Sequence, residues 1–282
     1  MPTAVIDGIL TRYRVTGSGP PLLMFSPGGF NAALENWTSH GIYRRLNLLS
    51  HLTEKYTCIT FDRRESGSSG GRVERVGWRD YVAQGSGLLD YLDIHRAHLM
   101  GGCAGCSSVA AFGVSCPERT SSMVLYSPAG GAKYRLKQHA RFATHLAYVA
   151  EQGLAGVVAL AGRSEGSFTQ DARVGPWVTV IRADPAFAEA YRKQNADRYS
   201  FILNGMARLL FDRDTVPGAE PEDLLRSDIP ALIVPGHDES HATSAARYLE
   251  ECLPRAQYWD MPVSDQTEET VALLLGEFLS AV

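Results

Sequence analysis

The chain has 282 residues, 45% of them apolar and 21% charged, which suits a globular protein with room for one large domain carrying an insertion, or for two small domains. A net charge of −4 and the lack of any Lys/Arg run argue against a nucleic-acid or membrane-surface partner. Met1 to Leu10 lacks the basic start and apolar run of a leader, and the most apolar stretch, Gly153 to Gly162, is too short to span a bilayer. Five cysteines without zinc-like spacing point to free thiols and a cytoplasmic setting.

In chain order, Val5-Ile6 and Ile9-Leu10 flank Asp7-Gly8, a pair suited to the positive φ values of a tight hairpin turn. Leu22 to Phe25 and Tyr56 to Phe61 are short apolar or β-branched runs and are expected as buried strands. Arg79 to Leu92 carries a helical apolar stripe. Ala97 to Met100 is expected as a strand running into glycines, and Ala104 to Cys116 as a helix ended by Pro117. Met123 to Tyr126 is the next strand. From Gly131 to Pro221 the alternation gives way to helices, with breaks at Gly162 to Ser167 and Gly175-Pro176. It resumes with strand Ala231 to Val234, helix Thr243 to Cys252, strand Ala256 to Trp259 and helix Glu268 to Leu279. Short apolar strands alternating with helices imply a mostly parallel sheet covered on both faces. The expected organisation is an α/β core of residues 1–130 and 222–282 with a helical cap over 131–221.

The stretch Gly101-Gly102-Cys103-Ala104-Gly105 has the form G-x-C-x-G between an expected strand and helix. A sharp strand-to-helix turn strains its central residue, and glycines on either side relieve the crowding. The N-terminus of the following helix favours a thiolate. Cys103 is therefore the candidate nucleophile. Cys103 and Cys106 also have C-x-x-C spacing, so a redox pair is a more distant reading.

With these residues in view, the chain resembles the α/β-hydrolase superfamily over nearly its whole length. Ser26-Pro27-Gly28-Gly29-Phe30 is similar to the family's oxyanion loop. Asp62 to Ser69 looks like its D-x-R-G-x-G-x-S loop, and Pro230 to Asp238 like the strand bearing the acid. The resemblance implies an eight-stranded, mostly parallel sheet with the cap after the sixth strand. It also implies an oxyanion hole from the amides of Ala104 and of Gly29, with Phe30 the second choice for the latter. Cysteine in place of serine resembles dienelactone-hydrolase-like members, and it speaks against relatives that attack with a carboxylate.

Two further departures bear on the chemistry. Glu65 stands where the family's loop has glycine; it is expected to be solvated, with an auxiliary proton-handling role as the alternative. The loop Asp260 to Gln266, which would carry the family's histidine, has none. The sequence reassigns the base to His241, oriented by Asp238, with His237 second and the insertion's His139 and His145 weaker. Glu239 is a lesser alternative for the acid. Phe142, Tyr148, Phe168, Trp177, Phe187, Tyr191 and Phe201 are expected to form the cap's own core or an apolar pocket. Arg135, Arg141 and Arg182 are expected at the surface, or on a substrate carboxylate.

The leading expectation is a cysteine hydrolase acting on a small ester, lactone, thioester or C–C-bonded diketone through an acyl-enzyme, with no metal or cofactor. A non-hydrolytic biosynthetic member (acyltransferase, lyase or cyclase) and a ligand-binding degenerate member are the alternatives. The expected partner is a small-molecule substrate; a homodimer stays open.

Overall fold

A computed structural model describes residues 1–282. It opens on a hairpin of β1 (Thr3–Ile6) and β2 (Ile9–Thr16), turned by Asp7 and Gly8 at φ 48° and 70°. Strand β3 (Pro21–Phe25) and β4 (Thr57–Phe61) follow, then α4 (Trp78–Tyr91), β5 (Ala97–Gly102), α5 (Gly105–Ser115) and β6 (Thr120–Tyr126). Between β3 and β4 lie three short helices, α1 (Asn36–Ser39), α2 (Gly41–Arg45) and α3 (Leu48–Thr53), which the sequence pattern did not reveal. Each is at most two turns long, and Asn47 at φ 47° interrupts the run, so no sustained helical stripe develops. After the insertion come α10 (Pro221–Leu225), β7 (Ala231–Val234), α11 (Thr243–Cys252), β8 (Ala256–Tyr258) and α12 (Glu268–Ser280).

The strands form one eight-stranded sheet in the order β1-β2-β4-β3-β5-β6-β7-β8. β1–β2 and β2–β4 pair antiparallel at one edge, and every other pair is parallel. Alternate side chains serve opposite faces. Leu23, Phe25, Ile59 and Leu99 join the core beneath α4 and α5, whereas Leu22, Met24, Cys58 and Met100 join the core beneath α3 and α12. A parallel sheet covered on both faces needs such apolar runs, and all six residues of β5 are buried. The carboxyl ends of β3, β5, β6 and β7 thus meet at the centre of one sheet edge, where open α/β sheets bind ligands.

The segment between β6 and α10 contains α6 (Ala132–Arg163), α7 (Val178–Ala183), α8 (Pro185–Arg192) and α9 (Ala196–Leu210). Helix α6 is broken at Gly153 (φ 66°, ψ 174°), which the sequence pattern did not signal, and it ends at Arg163, within the expected break at Gly162 to Ser167. Most of the aromatics interlock: Trp177, Tyr191 and Tyr199 pack together, and Phe142 packs on Phe168. Phe201 departs from expectation. It is 75% exposed on α9, because Tyr199, Leu203 and Met206 take that helix's buried face. No helix is long and apolar enough to cross a membrane.

Candidate active site

Cys103 sits at the turn from β5 into α5 with φ 54°, a left-handed conformation that a side chain rarely adopts. The turn is held by Cys103 N–H donating to Tyr126 O (3.2 Å) and by Cys103 O accepting from Cys106 N (3.1 Å) and Ala129 N (3.2 Å). A Cβ on Gly105 would lie 2.3 Å from Phe25 O, and one on Gly101 would lie 2.6 Å from Cys106 N. The glycines are therefore required by close backbone approach.

The loop after β7 folds back onto this turn. Asp238 Oδ1 accepts from the amides of Ser240 (2.7 Å) and His241 (3.1 Å), and Gly130 N–H donates to Ser240 O (3.0 Å). A Cβ on Gly236 would sit 2.4 Å from His241 Cβ, so that glycine leaves the room in which the imidazole lies. His241 Nδ1 is 2.9 and 2.8 Å from the two Asp238 carboxylate oxygens. As Nδ1 is the donor in that bond, Nε2 is the free ring nitrogen. It is buried without a hydrogen-bond partner, in the same cavity as the Cys103 sulfur and near enough for the two charges to couple.

The electrostatics follow from this pairing. Burial by itself would raise the Cys103 thiol. The neighbouring charge of His241, with the amides of Ala104 and Gly28, reverses that and leaves its pKa below the ordinary thiol value. Burial pulls the His241 imidazole down, but Cys103 and then Asp238 carry it up to about 9. Asp238 is largely exposed; the little hydration it loses would raise it, but its bond to the imidazole lowers it. The other four cysteines all shift upward through burial, Cys58 to about 12. Cys106 is buried, its thiol donating to Gly101 O (3.1 Å) and Tyr126 O (3.4 Å).

The remaining candidates are distributed differently. His237 lines the same cavity, but its Nδ1 is 3.1 Å from Thr243 Oγ1. Glu239 is exposed and pairs with Lys133 at 3.2 Å. Glu65 overturns its expected solvation. It is buried at φ 63°, accepts from Arg64 Nε at 2.8 Å, and burial pushes its pKa up to about 7. The strands and the insertion enclose its loop from both sides; Thr179 Oγ1 donates to Glu65 O at 2.7 Å. His139 is 2.9 Å from Phe211 O. His145 lies between Arg173 O (2.9 Å) and Tyr199 Oη (2.6 Å), and burial lowers it to about 4. Of the three arginines expected at the surface, Arg141 is buried beside Gln138, and Arg182 is tied to Ala161 O (2.9 Å) at the end of α6. Arg135 bonds Phe211 O (3.2 Å) and Asp214 (3.2 Å).

In the loop after β8, Gln266 is fully buried. Its Oε1 accepts from Tyr126 Oη at 2.6 Å, and its backbone oxygen accepts from Arg45 at 2.8 Å. Glutamine thus anchors a loop that has no imidazole to offer.

One space opens at Cys103 and a second borders the next residue, Ala104. An open cavity of 430 Å³ is lined by Cys103, His241, Asp238 and His237 together with Tyr43, Ser127, Val263 and the α2 entry His40-Gly41. Beside Ala104, a gap of 10 Å³ separates Gly29, Phe30, Arg63, Trp78, Tyr81 and Ala104 from Tyr134, Gln138, Leu210 and Phe211 of the insertion. Tyr43, Ser127, Gly28 and Arg63 were not singled out as site residues from the sequence. The only local signal was the glycine pair at Gly28, since the others reach the site through packing.

The model of the alpha/beta hydrolase family matches residues 23–272. A 2-hydroxy-6-oxo-6-phenylhexa-2,4-dienoate hydrolase from Comamonas testosteroni is 31% identical over 127 residues, spanning 44% of this chain and 42% of that protein. The matched region is thus under half the length of that curated relative. Among solved structures, the enol-lactonase from Burkholderia xenovorans LB400 superposes with a TM-score of 0.63 at 17% identity, covering 99% of this chain and 100% of that one. A mutant of the meta-cleavage product hydrolase from Pseudomonas fluorescens IP01 superposes with a TM-score of 0.60 at 21% identity, covering 100% and 98%. At these identities the structural likeness speaks to the fold, while the family model covers most of the sequence. The chain belongs to the alpha/beta hydrolase family.

Proposed function

We propose that this hydrolase attacks a small acyl substrate with the Cys103 thiolate and turns over through an acyl-enzyme. The single observation that carries the reading is that Cys103, at a left-handed turn (φ 54°), shares one cavity with an imidazole whose Nδ1 is held by Asp238. In the first step the sulfur forms a bond to the acyl carbon. The carbonyl oxygen takes up charge facing the Ala104 amide and the Gly28-Gly29-Phe30 loop. The bond to the leaving group then breaks, and the His241 imidazolium supplies its proton. In the second step the neutral imidazole takes a proton from water, the hydroxide adds to the acyl carbon, and the thiolate departs to leave the carboxylic acid.

Esters, lactones, thioesters and C–C-bonded diketones all fit this scheme. The names of the similar dienoate hydrolase and enol-lactonase lie within that range. Residues 131–221 act as a cap over the core formed by 1–130 and 222–282. The half-buried base with an aspartate partner favours hydrolysis over a stalled acyl-cysteine, because deacylation needs such a base.

The test is intact-protein mass spectrometry after exposure to a panel of activated esters and thioesters. A transient acyl adduct on Cys103, absent in Cys103→Ala and followed by free acid, is the expected result. Undiminished turnover by Cys103→Ala would refute the reading.

A further inference from the structure

The gap between Ala104 and the insertion is lined by hydrogen-bond donors that lack acceptors. Arg63 is 8% exposed, yet its Nε is buried without a partner and its guanidinium makes no ion pair. The two carboxylates nearest in sequence are already committed, Asp62 to Arg12 (2.6 Å) and Glu65 to Arg64 (2.8 Å). The guanidinium is instead stacked 4.2 Å from the Tyr81 ring centre and 5.6 Å from that of Phe30. Trp78 lines the same gap, and its Nε1 is also buried without an acceptor. Gln138 gives its oxygen to Arg141, which leaves its NH₂ as a donor, and Tyr134 lines the same gap. A buried, unpaired guanidinium is costly to a fold, and a ligand anion offsets that cost.

We infer that Arg63, with Trp78, Tyr134 and Gln138, is an anion subsite that selects acyl groups bearing a carboxylate. This inference rests on Cys103 as the nucleophile, and it adds the substrate class. Ala104, whose amide adjoins the sulfur, borders the same gap, so the acyl portion is short: a half-ester or half-thioester of a small dicarboxylic acid. Its carboxylate lies on Arg63 and its leaving group in the 430 Å³ cavity beside His241. A planar carboxylate suits the planar guanidinium fork. The free space of 10 Å³ holds about one water molecule. The carboxylate therefore enters by displacing Leu210 and Phe211, which belong to the insertion, and no strand pairing is broken.

The experiment compares the S-phenyl monothioester of glutaric acid with the neutral S-phenyl pentanoate, using the wild type, Arg63→Met and Arg63→Lys. The wild type is expected to favour the carboxylated substrate in kcat/KM. Arg63→Met should lower that preference by about 10–100-fold, mainly through KM, as expected for loss of a hydrogen bond to a charged group. Arg63→Lys should retain part of it. An equal fall for both thioesters, or a wild type that does not discriminate between them, would overturn the subsite. If neither thioester is turned over, the nucleophile assignment is what has failed. The subsite is then decided by calorimetry of glutarate with Cys103→Ala and with Cys103→Ala/Arg63→Met. Binding that weakens in the double variant supports it; no binding to Cys103→Ala overturns it.

Discussion

At Cys103 two opposing effects meet: burial disfavours the thiolate, and a charged imidazole with nearby amides favours it more. The ion pair with His241 is populated above the lowered thiol pKa and is lost as pH rises through about 9. A plot of kcat/KM against pH should therefore rise with thiol ionisation below the ordinary thiol range and fall near pH 9. His241→Ala should remove the alkaline limb, move the thiol limb upward and cost about 10²–10⁴ in rate. An unchanged alkaline limb in that variant would exclude His241 from the assignment. The same raised imidazole pKa stabilises the fold below pH 6.5, the unshifted value, and that contribution fades as pH passes through 9.

At the level of the element, the loop after β4 concentrates charge in a buried place. Asp62 accepts from Arg12 and from the amides of Leu34 (2.8 Å) and Ser68 (2.7 Å), so it ties the first hairpin to the β3 and β4 loops. Glu65 is the strained member. Its pKa of about 7 exceeds that of the unfolded chain, so between about 4.5 and 7 the folded protein holds a proton that the unfolded chain has released. The charged carboxylate therefore penalises the fold above pH 7, and the penalty disappears as pH falls toward 4.5. Glu65→Gln is expected to gain about 3 kcal/mol relative to wild type at pH 8 compared with the same difference at pH 4.5. Urea unfolding at the two pH values measures it; a gap independent of pH would contradict the assignment.

On the scale of the whole molecule, an aromatic contact helps join the core to the insertion. Phe30, from the loop after β3, is 5% exposed and packs edge-on against Phe142, Phe168 and Phe211 at centroid distances of 5.5, 5.2 and 6.2 Å. Phe30→Ala should cost about 3–5 kcal/mol, as large-to-small changes in aromatic cores do. It should also expose residues 131–221 to limited proteolysis before the sheet is cut. Cleavage of both parts at the same rate would show that the contact does not hold the insertion down.

What the sequence determined by itself was whatever depends on local pattern. Apolar runs such as Leu22 to Phe25 and Ala231 to Val234 can only be buried strands between glycine- and proline-rich turns, and Gly101 and Gly105 mark a tight elbow because a Cβ there meets backbone. The spacing of Asp238 and His241 was legible too, since an aspartate three residues ahead of a histidine can bond both its amide and its ring. Tertiary structure alone decided the rest. Glu65 is buried because the insertion closes over its loop, and Phe201 is exposed because other residues claim α9's inner face. Arg63 and Arg64 are adjacent and chemically alike, yet one is surrounded by carboxylates and the other faces donors and aromatic rings. Local pattern cannot separate them, because the counterion of a buried charge comes from whichever distant segments pack around it.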